Sequence, residues 1–558
     1  MRRSNARSPA APDPPSSATT AQMGAPAFHF RPPPPSTFSF LSRIGAASGS
    51  PNKQPRGGFC VPIIAGAAAA TFLFLFLWSQ SPAGDRRFGI VIDGGSTGTR
   101  IHVFAYVVGR GGAPVLDLGA ASTMRASPGL SAYADEPERA GESLAELLEF
   151  GRRRVPRSQW GETEVRLMAT AGLRLLETRV QEMILESCRK VLKVSGFQFQ
   201  SDWASVISGA DEGIYAWVSA NYAIGTLGGD PQHTTGIIEL GGASAQVTFV
   251  SSEPLPPEFS HVLQFGKTTY NLYSHSFLHF GQNVAHESLR ALLRSGELKS
   301  DALTPAVKSY IDPCTPRGYS GAMGSVKPFI GVLTADGADP NIYTAGNFSE
   351  CRSAALMLLQ RGKVNPVVYA DNCVYRHCRL GSTFVPALQG KFLATENFFF
   401  TSKFFGLGST ALLSDFVMAG ERFCGEDWTN LKRKYHYLGE DDLLRYCFSS
   451  SYIVALLHDS LGVALDEKRI VFSNQVSSVP LDWALGAFVM HKMAGLNAEH
   501  RDWTAGVIGG DSSALILLFV ISAALILMAW SMSRWRKPQL KTIYDLEKGR
   551  YLVTRVTR

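Results

Sequence analysis

Two long apolar runs interrupt the chain, one from Cys60 to Trp78 and one from Ala514 to Trp530, and neither contains a charged residue. Each is about long enough to cross a bilayer as a helix, and neither has the polar stripe of a helix buried in a soluble core. The first run follows 59 other residues, unlike a short cleaved signal peptide. The pattern predicts transmembrane helices over residues 60–79 and 512–532.

Between these runs, the hydrophobic pattern predicts a mixed α/β fold. Short β-branched segments end at glycine-rich turns, and several of them lead into segments with helical periodicity. Residues 1–59 differ, because they are rich in Pro, Ser and Ala and include four consecutive prolines at 32–35. Since they have no periodic apolar positions, they are predicted to form a disordered tail.

The formal charge of +7 lies at the two ends of this 558-residue chain. Residues 1–59 and 534–558 each carry +6, which leaves the 474 residues between them at −5. A folded region without a basic surface is not expected to bind nucleic acid. Lysine and arginine beside the outer end of each apolar run predict that both termini are cytosolic, with a basic tail over 533–558, and that residues of about 80–511 lie outside the cytosol.

The length of the predicted membrane helices also bears on the compartment. Both are short, which favours a thin endomembrane such as that of the Golgi, although the extracellular space is the alternative. The two helices also offer surfaces through which copies of the chain could associate.

Seven of the eight cysteines fall in the region assigned to an oxidising compartment. One consistent disulfide framework is Cys314–Cys351, Cys373–Cys378 and Cys424–Cys447, which leaves Cys188 unpaired in a helical stretch, although spacing alone does not determine connectivity. The Cys373–Cys378 segment also fits a zinc knuckle, but no second Cys/His pair lies at a matching interval. The Asn-x-Ser/Thr sequon at Asn347 lies on the same predicted side and is a candidate glycosylation site.

A glycine-rich turn between two strands is the first candidate for chemistry. An apolar strand from Phe88 ends at Asp93, and a second strand begins at Ile101. Three glycines in the turn let backbone N–H groups converge on an anion, and Ser96 and Thr97 add hydroxyl donors. The Asp93 carboxylate can hold a divalent cation beside that anion. An ordinary glycine hairpin is an equally good interpretation of this segment taken alone.

The same arrangement occurs a second time, 146 residues later. An apolar strand ends at Glu239, a turn of glycines and small residues follows, and a second strand leads to Phe249. Two related strand–turn–strand units indicate a duplicated fold whose halves face each other across a phosphate-binding cleft. Neither turn is followed by the Lys-Ser/Thr pair of a P-loop, which argues against a Walker-type nucleotidase.

Two segments between these units carry further candidates. Thr170 ends a short strand and can offer its hydroxyl to a metal-bound water, although a helix N-cap is an equally good interpretation. Asp211 and Glu212 open a helical segment, where acids usually complement the helix N-terminus. A phosphohydrolase without a Ser or Cys nucleophile needs a carboxylate to orient and deprotonate water, and this pair is the best placed.

Taken together, these segments resemble the apyrase family, which includes nucleoside triphosphate diphosphohydrolases and guanosine diphosphatases, and the chain resembles its membrane-bound members. The resemblance covers residues 88–505, with five blocks in the family's order. These are Ile90–Phe104, Leu167–Arg174, Ser201–Trp217, Ile237–Phe249 and Pro480–Val489. It implies an α/β fold of two ribonuclease-H-like lobes of the actin/Hsp70 type around a phosphate-binding cleft, one over 80–208 with 474–511 and one over 209–473.

The resemblance also implies metal-dependent hydrolysis of nucleoside tri- and diphosphates by direct water attack, with Ca²⁺ or Mg²⁺ as the cofactor. Glu212 would be the general base, with Ser244 and Gln246 positioning the water. Asp93, Thr170 and Glu239 would hold the metal through waters, in a site lined by Trp483. Ser96, Thr97, Gly242 and Ala243 would bind phosphate. Phe399 and Tyr446 lie where family members stack the base, although core packing explains the phenylalanine run better.

One residue departs from the family pattern. The fourth block normally begins with Asp, and Glu239 places its carboxylate about one bond length further out, a distance that matters for catalysis. Metal affinity, rate or ion preference is expected to differ, and a catalytically weak nucleotide-binding module is an alternative function. A polyphosphate phosphatase of the same superfamily is another. His275 and His279 have metal-ligand spacing on a predicted helix, but they lack an acidic partner, so surface packing is preferred.

Overall fold

The computed structural model describes residues 86–108, 114–295, 310–320, 342–361, 378–477, 479–492, 540–545 and 550–555. All of these belong to one compact unit of the chain, which runs from Pro82 to Arg558. The predicted disordered tail and both predicted transmembrane helices lie outside the described residues. Within the described ranges, no helix is both long and apolar enough to cross a membrane.

A five-stranded sheet forms around the first glycine-rich turn. Its strands are β1 (Arg87–Gly94), β2 (Thr99–Val108), β3 (Pro114–Ala126), β4 (Glu164–Ala169) and β5 (Ala204–Val206), in the order β3-β2-β1-β4-β5. The strands β1, β2 and β3 are antiparallel, whereas β4 and β5 run parallel to β1. The central strand β1 is buried on both faces over its last six residues, which accounts for its uninterrupted apolar run.

A six-stranded sheet forms around the second turn. The strands that follow β5 are β6 (Gly236–Leu240), β7 (Ser244–Val250), β8 (Ser260–Phe265), β9 (Thr268–Leu278), the short pair β10 (Tyr310–Asp312) and β11 (Ile342–Thr344), the short pair β12 (Cys378–Leu380) and β13 (Thr383–Phe384), β14 (Phe392–Glu396) and β15 (Ile470–Phe472). The sheet has the order β15-β14-β6-β7-β9-β8. The strands β6, β7, β9 and β8 are antiparallel, and β14 and β15 run parallel to β6.

The two sheets repeat one strand topology. In each, a central strand (β1 or β6) has a series of antiparallel strands on one side and two parallel strands on the other. The antiparallel series is β2 and β3 in the first sheet and β7, β9 and β8 in the second, which therefore has one additional edge strand. Asp93 and Glu239 are each the last residue but one of the central strand. The duplication that the two sequence motifs predict is therefore present in the strand order.

Helices cover both sheets. They are α1 (Ala145–Arg154), α2 (Ala171–Arg174), α3 (Thr178–Lys193), α4 (Gly209–Ile224), α5 (Gln282–Ser295), α6 (Phe348–Arg361), α7 (Asn397–Phe404), α8 (Leu413–Cys424), α9 (Trp428–Lys434), α10 (Glu440–Val454), which continues as a π-helical segment over Ala455–Ser460, and α11 (residues 483–492). The helix α4 has clear end signals: the Ser208 hydroxyl accepts from the Asp211 N–H at 3.0 Å, and Gly225 ends the helix with a φ of +83°.

Alternate residues of the central strands enter different apolar clusters. Ile90 and Ile92 of β1 pack into a cluster with α1 and α3, whereas Val91 points to a cluster that also contains Ile237 of β6 and helices α4 and α11. Ile238 points to a third cluster, formed with α5 to α10. The cluster that contains Val91 and Ile237 joins residues of both sheets, and α4 and α11 pack within it.

Two of the three predicted disulfides, Cys314–Cys351 and Cys424–Cys447, are formed, which confirms those pairings. Cys378 is also disulfide-bonded, and its predicted partner Cys373 lies outside the described residues. A disulfide at Cys378 does not fit the zinc-knuckle interpretation. Cys188 is free and buried in α3, as expected, and burial raises the pKa of its thiol to about 12.

The remaining strands form two antiparallel pairs. The strand β16 (Gln475–Val476) pairs with β17 (Val479–Pro480), just before α11. In the basic C-terminal tail, β18 (Leu540–Asp545) pairs with β19 (Arg550–Arg555). The sequence indicates this tail by its charge and does not predict the two paired strands.

A glycine allows α11 to pack directly on α4. A Cβ atom at Gly486 would lie 1.8 Å from the carbonyl oxygen of Tyr215 and 3.0 Å from the backbone nitrogen of Ser219. On its other side α11 contacts the first sheet, where the rings of Phe488 and Phe104 are 4.8 Å apart. The close approach at Gly486 therefore determines where α11 lies between α4 and β1.

Substitution of Gly486 by Ala is expected to destabilise the fold by about 3 kcal/mol or more, because a rigid backbone carbonyl cannot move away from the new methyl group. Thermal unfolding of the full chain measures the effect. Gly161→Ala is the matched control, because a Cβ at Gly161 meets nothing within 4 Å. Equal unfolding temperatures for the two variants would contradict the packing described for α11.

Candidate active site

A cleft lies where the two glycine-rich turns meet. All eleven residues that the sequence assigned to catalysis, phosphate binding or the metal line this cleft. They are Asp93, Ser96, Thr97 and Thr170 from the first unit, Glu212 from α4, Glu239, Gly242, Ala243, Ser244 and Gln246 from the second unit, and Trp483 from α11. Their individual roles stay predictions.

The strand duplication accounts for the positions of the two predicted metal-site carboxylates. Asp93 and Glu239 occupy equivalent places at the ends of β1 and β6, and both are nearly fully buried, with 2% and 7% of their surfaces exposed. Across the adjacent antiparallel strand, Asp93 is paired in register with Arg100, and Glu239 with Gln246. Each acid therefore has a polar side chain of the neighbouring strand beside it.

The two turns come into close contact. A Cβ atom at Gly242 would lie 3.0 Å from the Ser96 hydroxyl oxygen and 3.1 Å from the Thr97 methyl carbon. These hydroxyl residues belong to the first turn and Gly242 to the second, so backbone N–H groups and hydroxyl groups from both units surround one small volume. Such an arrangement suits the oxygens of a phosphate group.

Glu212 is held in the first turn of α4 by an arginine. The Arg174 Nη2 donates to Glu212 Oε2 at 2.8 Å, and its Nη1 donates to the carbonyl of Ile207 at 3.1 Å. Both charged side chains are largely buried, with 14% and 11% exposure. The ion pair fixes one carboxylate oxygen of Glu212 and makes Arg174 a positioning residue.

Close packing brings Glu212 towards the polar residues of the second sheet. A Cβ at Gly213, the next residue of α4, would lie 2.4 Å from the Thr248 hydroxyl oxygen of β7. On the same strand, Gln246 Nε2 donates to the Ser244 hydroxyl oxygen at 2.6 Å. The general-base candidate and the two water-positioning candidates therefore lie on elements in direct contact.

Burial raises the pKa values of the cleft carboxyl groups. It raises the pKa of Asp93 well above its usual range, against the opposing effect of Arg100. It does the same for Glu239, where the nearby Glu212 and Glu396 carboxylates add to the effect. The pKa of Glu212 is raised by burial, and Arg174 limits that rise. Protons or cations bound in the cleft would relieve this concentration of negative charge.

The donor set of the cleft fits a hard divalent cation. Asp93 Oδ1 and Glu239 Oε2 are buried and have no hydrogen-bond donor among the described residues. Carboxylate and hydroxyl oxygens are the ligands that Ca²⁺ and Mg²⁺ prefer. No three acidic, His or Cys side chains of the described residues converge closely enough to coordinate a metal directly. The cleft therefore suits an ion that keeps part of its water shell.

The two candidate base-stacking residues do not line the cleft. The Tyr446 ring is stacked on Phe404, with the ring centres 3.5 Å apart and an angle of 6° between the planes. The Phe399 ring is half-buried, and the Lys403 ammonium lies 5.9 Å from its centre. Phe398, the first residue of the run, is fully buried in the core. Core packing therefore accounts for part of this run.

The helix predicted around His275 and His279 is wrong. His275 lies in strand β9, and His279 follows that strand with a φ of +76°. The His275 ring packs edge-on against Phe277 and Phe259, at 4.7 and 5.1 Å, and burial lowers its pKa to about 4. The preferred interpretation of these residues as packing groups agrees with these contacts for His275.

Three charged residues of the cleft were missed by the sequence reasoning: Arg100, Glu396 and Asp482. Arg100 is part of the first motif, so its place opposite Asp93 in a two-strand pattern was a usable signal. Asp482 precedes Trp483, and its carboxylate lies 3.4 Å from the Nε2 of the buried His102. Glu396 lies in no motif, and nothing in the sequence around it indicated the cleft.

The sequence match establishes the family. Residues 79–501 match the GDA1/CD39 (nucleoside phosphatase) family, which is more than half of the chain. The chain belongs to this family, as its motifs predicted, and is an enzyme of the apyrase class.

Relatives and a solved structure extend this assignment. The chain is 55% identical over 481 residues to "Probable apyrase 6" of Arabidopsis thaliana, with 85% of each chain covered. It is 31% identical over 425 residues to ectonucleoside triphosphate diphosphohydrolase 3 of Mus musculus, covering 72% of this chain and 77% of that protein. A crystal structure of nucleoside triphosphate hydrolases from Neospora caninum aligns with a TM-score of 0.56 at 17% identity, covering 78% of this chain and 97% of that one, which shows a shared fold.

Replacement of Arg174 by Gln is expected to move the acidic limb of the pH profile of kcat/KM to higher pH. A general base must be deprotonated to act, so activity falls as the pH drops through the pKa of Glu212. That pKa is already raised by burial, and loss of the Arg174 charge raises it further. Phosphate release between pH 4 and 9 measures the limb.

Arg189→Gln is the matched control for Arg174, because Arg189 also donates to backbone carbonyls, those of Ser201 and Ala204, but lies outside the cleft lining. Its variant should keep the wild-type limb. A limb that stays in place or moves to lower pH in Arg174→Gln would show that Glu212 is not the group that titrates.

Proposed function

We propose that this protein hydrolyses the terminal phosphate of nucleoside tri- and diphosphates by direct attack of water. The observation that carries the proposal is the meeting of both glycine-rich turns and Glu212 in one cleft. Ser96 and Thr97 offer hydroxyl and backbone donors from one side, and Gly242 and Ala243 offer backbone donors from the other. Membership of the nucleoside phosphatase family supports the same reaction.

In the proposed reaction, Ser244 and Gln246 orient a water molecule for Glu212. The water oxygen attacks the terminal phosphorus while Glu212 accepts a proton, and the bond from phosphorus to the bridging oxygen breaks. The products are inorganic phosphate and a nucleoside phosphate shorter by one phosphoryl group. The donors of the two turns stabilise the charge that develops on the phosphoryl oxygens.

We propose that Asp93, Thr170 and Glu239 hold a Ca²⁺ or Mg²⁺ ion through waters, with Trp483 at the edge of the site. The ion would neutralise phosphate charge and polarise the phosphoryl group. Support comes from the buried carboxylate oxygens of Asp93 and Glu239 that lack donors among the described residues. A bound cation would also reduce the repulsion between the acidic cleft and a polyanionic substrate.

We further assign each sheet to a ribonuclease-H-like lobe of the actin/Hsp70 type, with the lobes over 80–208 plus 474–511 and over 209–473. The repeated strand order supports this assignment. The contact of α11 with the first sheet agrees with the return of the chain to the first lobe after residue 474.

A catalytically weak nucleotide-binding module is the second candidate. It rests on Glu239, whose side chain is one methylene longer than the Asp at this position of the family pattern. The cleft of such a module would bind nucleotide without rapid phosphate release. The two candidates differ in turnover alone.

The full chain is expected to release phosphate from nucleoside di- or triphosphates with Ca²⁺ or Mg²⁺ and to lose this activity in EDTA. Glu212→Gln should lower kcat at least about 100-fold in a chain that still folds, because it removes the proton acceptor. A panel of ATP, ADP, GDP, UDP, AMP and polyphosphate measures the activity. Glu421→Gln, an exposed glutamate of α8, is the control and should keep full turnover.

Unchanged turnover in Glu212→Gln would show that Glu212 is not the general base. Nucleotide binding with no turnover in the wild type would support the weak module instead. If polyphosphate alone is hydrolysed, the substrate is polyphosphate rather than a nucleotide.

We propose that the active site lies outside the cytosol, in the lumen of the Golgi or another endomembrane, with membrane helices at 60–79 and 512–532 and both termini cytosolic. The charge distribution along the chain supports this topology. The disulfides Cys314–Cys351 and Cys424–Cys447 support it as well, since such bonds persist in oxidising compartments.

This topology predicts an N-linked glycan on Asn347, which precedes α6 and is half-buried. Peptide-N-glycosidase treatment of the full chain from eukaryotic cells should increase its gel mobility by one glycan. Asn347→Gln should abolish the shift, and Asn430→Gln, outside any sequon, should retain it. Glycosylation of a sequon placed in residues 1–59, with none on Asn347, would reverse the topology.

A further inference from the structure

Arg100 is the cationic side chain of the cleft, and the reaction described above gives it no role. Among the described residues that line the cleft, it alone carries a positive charge. Its Nη1 lies 3.4 Å from Asp93 Oδ2, a long contact for a hydrogen bond, and 24% of its side chain is exposed. Since guanidinium has five N–H donors, this contact leaves most of its hydrogen-bonding capacity for other partners.

The duplicated fold gives Arg100 a counterpart. Arg100 is seven residues after Asp93, and Gln246 is seven residues after Glu239. Each is the register partner of its acid on the adjacent antiparallel strand. Gln246 faces the cleft beside Ser244, where the attacking water is proposed to bind. By the same topology, Arg100 lines the cleft from strand β2, directly after the first turn, whose Ser96 and Thr97 hydroxyls are the proposed phosphate donors.

A second arginine binds the backbone of this turn. Arg125 of β3 is the register partner of Arg100, and its Nη2 donates to the Thr97 carbonyl at 2.8 Å. Arg125 is not among the residues that line the cleft. The two arginines therefore have different roles. Arg125 holds the backbone of the turn, and Arg100 presents its guanidinium to the cleft.

Glu396 lines the same cleft as Arg100 and belongs to the other sheet. It ends β14, where it is paired in register with Leu240, next to Glu239. Its backbone has φ +58° and ψ −120°, a conformation that costs free energy for any residue other than glycine. Two bonds hold it there: the Glu396 N–H donates to Asn474 Oδ1 at 2.6 Å, and Asn397 Nδ2 donates to the Leu240 carbonyl at 2.7 Å.

The charges agree with this placement. Burial lowers the pKa of Arg100, and the Glu396, Asp93 and Asp482 carboxylates raise it above its ordinary value. Burial raises the pKa of Glu396, and Arg100 is the strongest influence that opposes this rise. The strained backbone at Glu396 therefore places a carboxylate of the second sheet in the cleft that the Arg100 guanidinium also lines.

We propose that Arg100 donates to a non-bridging oxygen of the substrate's terminal phosphate, and that Glu396 holds the guanidinium in position from across the cleft. This role rests on the proposed function. The planar guanidinium fork matches two phosphate oxygens, which an ammonium group cannot do. Asp93, its present partner, is the residue assigned to the divalent cation, so substrate and cation together would replace the Arg100–Asp93 contact.

Steady-state kinetics of four variants of the full chain test the proposal. Arg100→Ala should lower kcat/KM about 100-fold, the effect of removing one donor from a developing oxyanion. Arg100→Lys should recover only part of the kcat/KM that Arg100→Ala loses. Added guanidinium should raise the activity of Arg100→Ala but not that of Arg100→Lys. Glu396→Gln should cost about 10-fold, as partners that orient a functional group do. Arg153→Ala, an exposed arginine of α1, is the control and should match the wild type.

The double variant Arg100→Ala, Glu396→Gln separates positioning from other roles. If Glu396 acts through Arg100, the double variant is no slower than Arg100→Ala. Calorimetric binding of adenylyl imidodiphosphate should show the same pattern in the dissociation constant. Additive losses, or a changed half-saturating concentration of Ca²⁺ or Mg²⁺ in Glu396→Gln, would instead assign Glu396 to the metal and overturn its positioning role.

The outcomes also distinguish this inference from the proposed function. Wild-type turnover with an unaffected Arg100→Ala variant would overturn the role of Arg100 and leave the proposed function intact. A wild type that neither hydrolyses nor binds nucleotide would overturn both. A wild type that binds but does not hydrolyse would overturn the reaction, and weaker binding by Arg100→Ala would then still support the phosphate contact.

Discussion

The active site depends on five carboxyl groups that share one cleft. Asp93, Glu212 and Glu239 are buried, and Glu396 and Asp482 are half-buried. Burial raises the pKa of four of them, and at each of these four at least one neighbouring carboxylate adds to the rise. Such a concentration of acids is unfavourable unless cations compensate for it. Within the described residues the protein supplies guanidinium groups at two of these carboxylates, Asp93 and Glu212. The negative charge that remains uncompensated makes the cleft suitable for a divalent cation. With that cation bound, the cleft also suits a phosphate anion.

Close backbone packing keeps the repelling acids together. The glycines at 213, 242 and 486 lie where a Cβ would meet a side chain of β7, the opposite turn or the backbone of α4. Each contact joins two elements that carry cleft residues, so the geometry of the site is determined by backbone distances rather than by flexible side chains. The apolar cluster shared by both sheets, α4 and α11 supplies the hydrophobic stabilisation that opposes the charge repulsion.

Much of this site was predictable because its residues follow strand ends. Asp93 and Glu239 each close an apolar strand before a glycine turn, and that local pattern is visible without the fold. Glu396 has no such pattern: its position depends on a positive φ that glycine, not glutamate, would signal, and on pairing of β14 with a strand more than 150 residues earlier. The error at His275 and His279 has a similar origin, since residues four apart share a face in a strand as well as in a helix.

The position of α11 has a consequence for how the enzyme is made. Asp482 and Trp483 line the same cleft as Asp93, although they are separated by most of the folded chain. While the chain is being synthesised, the first turn and its acid therefore exist long before the residues that complete the cleft. A nascent chain that has not reached Asp482 lacks two of the residues that line the cleft. The complete cleft therefore forms only after α11 has been synthesised and has packed against α4 and the first sheet.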